Sequence, residues 1–166
     1  MTTRGHDAGS RGGPEDTGRR RRRVLRMSFE LREHTADVAV EATASDLSGA
    51  FAAVADGLAA AGCDAVPPTG GERFGIEVRA EGAEALLFDY LDQLIYERDV
   101  RGVLPVDNDA EVRAPEEGDG EWVLDGSARG VPLSAVDARE IKAVTYSEMS
   151  LEETADGWRA YVVFDV

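Results

Sequence analysis

The 166-residue chain holds one cysteine, one lysine and two histidines. A single cysteine, Cys63, excludes an intramolecular disulfide and a cysteine metal cluster. It lies in "AAAGCDAV" after a helical pattern and reads as a small buried hydrophobe, because the expected folded body has no second histidine to activate it as a nucleophile. The same scarcity disfavours zinc. No apolar run approaches the ~20 residues of a membrane span, and the N-terminal segment lacks the apolar middle of a signal peptide, so the expectation is a cytoplasmic protein. A phosphate-binding loop is missing too: "GGERFG" lacks the Lys-Ser/Thr pair and leads into a strand. Ser147, His34 and Asp165 could be assembled into a hydrolytic set, but no serine sits in a strand-to-helix nucleophile elbow.

Basic residues are unevenly spread. Residues 1–26 carry 8 of the 18, including the run Arg19 to Arg23, with three acids and almost no large apolar side chains. Such a segment cannot bury enough surface to offset its ordering entropy, and it is expected to be a disordered arginine-rich tail, with Met27 opening the folded body. Residues 27–166 are left with 30 acids against 10 bases, a net charge of -20. That charge opposes direct nucleic-acid binding by the body, since a phosphate backbone needs lysine and arginine to displace its counterions. It suits a halophile-like solvated surface, a cation site or a basic partner. The arginine run alone has the charge to meet RNA or another anionic surface.

Periodicity predicts two short strands over 28–33 and 36–43, with Val38 and Val40 alternating against Ala39 and Glu41. A helix follows, with Ser45 as its cap, Asp46 in its first turn, and Leu47, Phe51, Val54, Ala55 and Leu58 on one face. "VPPTGG" closes that unit as a loop. Arg73 to Ala80 alternates as a half-buried strand. Ala83 to Arg98 repeats Leu86/Leu87, Tyr90/Leu91 and Leu94/Ile95 every four residues, a core-facing helix. Strands are expected over about 102–106, 110–114, 121–128, 139–153 and 158–166, with Asp156-Gly157 as a hairpin turn. The fold class is therefore α+β: one domain over 27–166, with two helices packed on one face of a mostly antiparallel or mixed twisted sheet.

Three spots could carry chemistry. "EHTADVAV" places His34 and Asp37 where a loop meets a strand. "REIKAVTYSE" contains Lys142, the only lysine beside 17 arginines, and an ammonium on a flexible stem does not interchange with a guanidinium. In "YVVFDV" the face formed by Trp158, Ala160, Val162, Phe164 and Val166 leaves Asp165 pointing the other way. Each also has a plain structural reading as a turn, a cap, an ion pair or a solvated strand end. Two aspartates with backbone oxygens and water would suit a hard cation such as Ca²⁺ or Mg²⁺.

The ordered set "EHTADVAV", "ALLFDYLDQLIYE", "EIKAVTYSEMSLE" and "WRAYVVFDV" resembles the archease family over about residues 28–166. That resemblance implies a small acidic α+β protein that is not itself an enzyme. Its implied partner is an RtcB-type RNA ligase of tRNA splicing, whose guanylylation and multiple turnover it promotes. It further implies a divalent-cation site, Ca²⁺ first with Mg²⁺ or Mn²⁺ as alternatives, on Asp37 and Asp165 with His34 close by, and a partner-activating role for Lys142. A chaperone-like modulation of a tRNA-modifying enzyme such as a tRNA methyltransferase is a second role the family allows. A small metal-dependent hydrolase using Asp37, Asp165 and His34 is the reading from another class. Ser147 stands where the family often has histidine, and the arginine-rich tail has no family counterpart.

Overall fold

The computed structural model describes residues 23–25, 29–33, 37–118 and 120–166. Strands β1 (Arg23–Leu25), β2 (Phe29–Glu33) and β3 (Asp37–Ala44) lead into helix α1 (Leu47–Gly62); β4 (Glu72–Ala80) leads into α2 (Ala83–Arg101); β5 (Val103–Arg113), β6 (Trp122–Pro132), β7 (Ala143–Thr154) and β8 (Gly157–Asp165) complete the domain. All described strand pairs are antiparallel, in two sheets ordered β1-β2-β3-β8-β7 and β4-β6-β5. The class is the expected α+β, with two helices. The strands divide into two sheets, however, and the helices lie against both: α1 packs on β2, β3 and β8 and also on β5, while α2 packs on β7 and also on β4, β5 and β6.

The composition of α1 makes that possible. In "LSGAFAAVADGLAAAG" the buried positions Ala50, Phe51, Ala53, Val54, Ala55, Gly57, Leu58, Ala59, Ala61 and Gly62 go round the helix, and most are small, so a sheet can approach from each side. Its large side chain, Phe51, is fully buried and stacks on the equally buried Tyr90 of α2, ring centres 6.3 Å apart. The main core results, in which Val40, Ala42, Val162 and Phe164 of one sheet meet Ile76 and Leu124 of the other through Phe51, Val54, Leu86, Leu91 and Leu94, and a smaller cluster gathers Ala59, Cys63, Leu104, Val106 and Val131.

Several local expectations are corrected. Arg23–Leu25, placed by composition in a disordered tail, pairs with Phe29–Leu31, because Val24 and Leu25 favour the strand and the β2 edge offers unpaired backbone groups. The rest of the expected tail lies outside the described residues. The cap of α1 is Asp46 rather than Ser45: its backbone is extended and its carboxylate accepts from the Gly49 N–H at 2.7 Å. Residues 103–113 form one strand, not two, interrupted by a bulge between Val106 and Asp109 where Asp107 takes φ 48°. The bulge turns Asn108 inward, where its backbone N–H and Nδ2 both donate to Asp56 Oδ1 at 3.0 and 2.9 Å. The β7–β8 hairpin turns one residue earlier than expected, over Ala155 and Asp156, with Gly157 already in β8, and a glycine is needed there: at φ 152° an added Cβ would stand 2.0 Å from the Ala44 carbonyl oxygen.

Asp56 is the polar exception on α1. Burial raises its pKa above the ordinary 3.8 despite the two Asn108 bonds, so the folded chain binds more protons than the unfolded one above that value. Its contribution to stability is therefore lost as pH rises through the folded pKa. Asp56→Asn, which can still accept from Asn108, is expected to raise the urea midpoint at pH 7, and the gain should shrink as pH is lowered toward 4. Filling the space between the sheets should do the opposite: Ala50→Leu is expected to cost about 1–3 kcal/mol in chemical denaturation.

Candidate functional site

The pairing of β3 with β8 puts the first long strand of the domain beside its last, in the interior of the five-stranded sheet. Eight partners run from Asp37↔Asp165 through Val40↔Val162 to Ala44↔Trp158. Val40, Ala42, Ala160, Val162 and Phe164 are buried on the helix-facing side. By alternation, Asp37 and Asp165 project from the other face, as direct cross-strand partners whose Cβ atoms are then ~4.5–5.5 Å apart. Two carboxylates far apart in the sequence thus share one end of an interior strand pair. Asp37 is half-buried and Asp165 exposed.

Lys142 is brought to the same place. Ala143 is the partner of Asp165 on its other side, in the β7–β8 ladder, and the Lys142 N–H donates to the Asp165 carbonyl at 2.8 Å. The preceding residue, Ile141, is buried in the main core, while Lys142 itself is exposed. Asp37, Asp165 and Lys142 are therefore neighbours on three adjoining strands or strand entries. His34, with Thr35 and Ala36, lies outside the described residues, so the candidate site is known from these three. Ser147 is exposed in the stretch from Tyr146 to Met149, where β7 slips its register against β8.

Two like charges set directly opposite on neighbouring strands repel, and the register that packs the two strands against the helices holds them there. Among the described residues, no group of three or more histidine, cysteine or carboxylate side chains is arranged to hold a metal ion. The pair can thus supply two hard oxygen ligands, with remaining positions left to water, backbone oxygens or a partner.

The loop entering β7 depends on residues that the sequence alone did not single out. Arg139 donates from its backbone N–H to the Gly62 carbonyl at 2.6 Å and from Nε to the Ala61 carbonyl at 3.1 Å, closing the C-terminal end of α1, and its Nη2 meets Asp64 at 3.0 Å. Arg98, in the last turn of α2, donates to the Arg139 carbonyl. A periodicity argument hides Arg98, since it occupies an apolar position of the α2 stripe. Only its departure from that stripe's composition could have marked it.

Removal of the repulsion should be measurable: in chelator and at low salt, Asp165→Asn is expected to raise the thermal midpoint by about 1–4 °C, with the gain fading at high salt. An unchanged or lower midpoint would contradict the carboxylate pairing.

Comparison with known proteins matches the same span. Residues 29–166 match the model of the Archease protein family (MTH1598/TM1083). The protein archease of Pyrococcus furiosus is 34% identical over 142 residues, covering 83% of this chain and 98% of the relative, and that of Archaeoglobus fulgidus is 34% identical over 145 residues, covering 84% and 100%. Among solved structures, protein 1598 of Methanobacterium thermoautotrophicum superposes with a TM-score of 0.70 at 26% identity, covering 84% of this chain and 99% of that one. A Thermotoga maritima crystal structure, described as an archease and possible chaperone, superposes with a TM-score of 0.54 at 24% identity, covering 81% and 94%, and shares the fold.

Proposed function

Because this chain belongs to the archease protein family, we propose that it is a non-enzymatic activator of an RtcB-type RNA ligase, promoting the ligase's guanylylation and repeated turnover. In this reading Asp37 and Asp165 hold a divalent cation, and Lys142 meets the partner. The observation that carries it is the cross-strand register of Asp37 with Asp165, with Lys142 tied by its backbone to the same residue.

The donor set fits a hard cation. Two carboxylates on adjoining strands are anionic oxygen ligands with a fixed separation, and Ca²⁺ accepts irregular oxygen shells completed by water more readily than Mg²⁺, which demands near-octahedral geometry. Mn²⁺ is compatible with the same oxygen-rich set. His34, three residues before Asp37, is the further candidate ligand or neighbour. A bound cation would cancel the carboxylate repulsion and leave coordination positions for anionic groups of the partner.

The chain's own residues do the rest. Asp37 and Asp165 orient the cation from a sheet interior, a rigid base for a site. Lys142 offers a point charge on a flexible stem next to it, suited to an anion approached at variable distance. The strongly acidic body suits a partner whose RNA and nucleotide pocket is basic, speeding encounter. Tighter binding to the guanylylation-competent conformation of the ligase than to its other states would be sufficient to shift it toward that conformation.

The test is multiple-turnover ligation of RNA 3′-phosphate and 5′-hydroxyl ends by the cognate ligase with GTP and Mn²⁺. Wild type is expected to raise turnover, and Asp37→Ala, Asp165→Ala and Lys142→Ala each to lose about tenfold or more of the stimulation while keeping wild-type circular dichroism. If the three variants stimulate like wild type, the site assignment is wrong. If wild type has no effect, the function is wrong; hydrolysis of phosphoesters by the purified chain alone would replace it with the enzyme reading.

A further inference from the structure

Asp137 to Lys142 precedes β7 without helix or sheet ladder, apart from a single bridge between Ala138 and Cys63. Segments of that kind ordinarily move. This one is tied down at four of its six residues: Ala138 by that bridge, Arg139 by its donors to Ala61, Gly62 and Asp64, Ile141 by burial, and Lys142 by the Asp165 carbonyl.

Arg98 is the unusual member of the network. Only 9% of it is exposed, and among the described residues it is the sole charged residue in the buried class. No carboxylate stands within ion-pair distance of it among those residues; its guanidinium donates instead to the Arg139 carbonyl. Burial pushes its pKa down, and the charges of Asp99 and Glu140 offset that only in part. The end of α2 has no need of it, because Gly102 closes the helix in the left-handed conformation, its N–H on the Arg98 carbonyl, and Arg101 supplies a cation in the same turn. A buried guanidinium spent on one loop carbonyl costs more than an apolar side chain would at that position. What it secures is the loop.

We propose that Arg98 and Arg139 are positioning residues for Lys142: Arg98 holds the Arg139 backbone from the end of α2, Arg139 locks onto the end of α1, and together they set where Lys142 enters β7 beside Asp165. The span is short, since three residues of chain reach at most ~10 Å, so a fixed Arg139 leaves Lys142 little freedom. This inference rests on the role given to Lys142 above.

Amide hydrogen exchange followed by NMR tests it on the full chain, with ligation as the second readout. Arg98→Met keeps the apolar stem and deletes the donor; Arg139→Met keeps the backbone bond and deletes the side-chain lock. In each, protection of the Lys142 amide is expected to fall about tenfold or more while that of Val162, in the core of β8, stays within twofold. Ligase stimulation should fall with it, while the cation concentration for half-saturation, read by calorimetry, stays within twofold of wild type. Arg98→Lys, which restores a donor, is expected to recover most of both losses. Unchanged Lys142 protection in both variants would overturn the proposal, as would an equal fall at Val162 in both; if Arg98→Met does not fold, Arg139→Met decides. If Lys142→Ala itself stimulates normally, the function of Lys142 fails, and the exchange result still stands or falls separately.

Discussion

The structure depends on the register of β3 against β8. Val38, Val40 and Ala42 alternate on one strand and Ala160, Val162 and Phe164 on the other, and the observed antiparallel alignment turns both sets toward the helices. A slip of one residue would turn each buried set outward. The same alignment makes Asp37 and Asp165 partners, so the placement of the candidate site follows from hydrophobic patterning many residues long rather than from any attraction between the residues that form it. A site built this way resists drift, since moving either carboxylate means breaking the core.

The far end of the same strand pair is pinned independently. Gly157 starts β8 against the carbonyl of Ala44, at the point where β3 gives way to the α1 cap on Asp46. Contacts at both ends of the β3–β8 pair therefore agree. Helix α1 then passes between two sheets, which its alanines and glycines allow, and Phe51 with Tyr90 joins it to α2. The Tyr90 hydroxyl is buried without a hydrogen-bond partner among the described residues, and burial with the charges of Asp56 and Asp109 pushes its pKa up. With Asp56 and Asn108 it makes a small polar inclusion whose cost is carried by the apolar contacts around it.

Much of this was legible in the chain because its signals are local or periodic. The four-residue repeat of α2, the alternation of β3, β4 and β8, and the Asp-Gly hairpin signal each report a single element, and each appears within a residue or so of where it is expected. The partition into two sheets was not legible, because antiparallel strands in either arrangement show the same alternation, and the small residues of α1 read equally well as a one-sided stripe. "VDND" in β5 looks like a break between strands, yet a bulge carries the strand through by turning Asn108 toward Asp56, a partner 52 residues away that no local pattern announces. The three candidate residues stood out as individual oddities, a histidine–aspartate step, a lone lysine and a terminal aspartate. Their adjacency is a property of topology. Arg98 was invisible for the converse reason: it sits in phase with a helix stripe and so passes for part of it.

Where local rules are broken in a chain that otherwise obeys them, the breaks are informative. Ion pairs here follow the ordinary pattern, exposed or half-exposed, as in Arg73 with Asp109, Arg113 with Asp125 and Arg159 with Glu41, worth little individually to stability. Two placements depart from it: like carboxylates set opposite one another on adjoining strands, and a buried guanidinium with no carboxylate at ion-pair distance among the described residues. They arise on different elements and through different contacts, but the chain connects them, since Arg98 holds Arg139, three residues before Lys142, and Lys142 is bonded to Asp165. A fold selected for stability alone would gain by an apolar residue at position 98 and an amide at 165. Keeping both costs at one end of one sheet makes that end the part of the molecule whose geometry exceeds what folding requires.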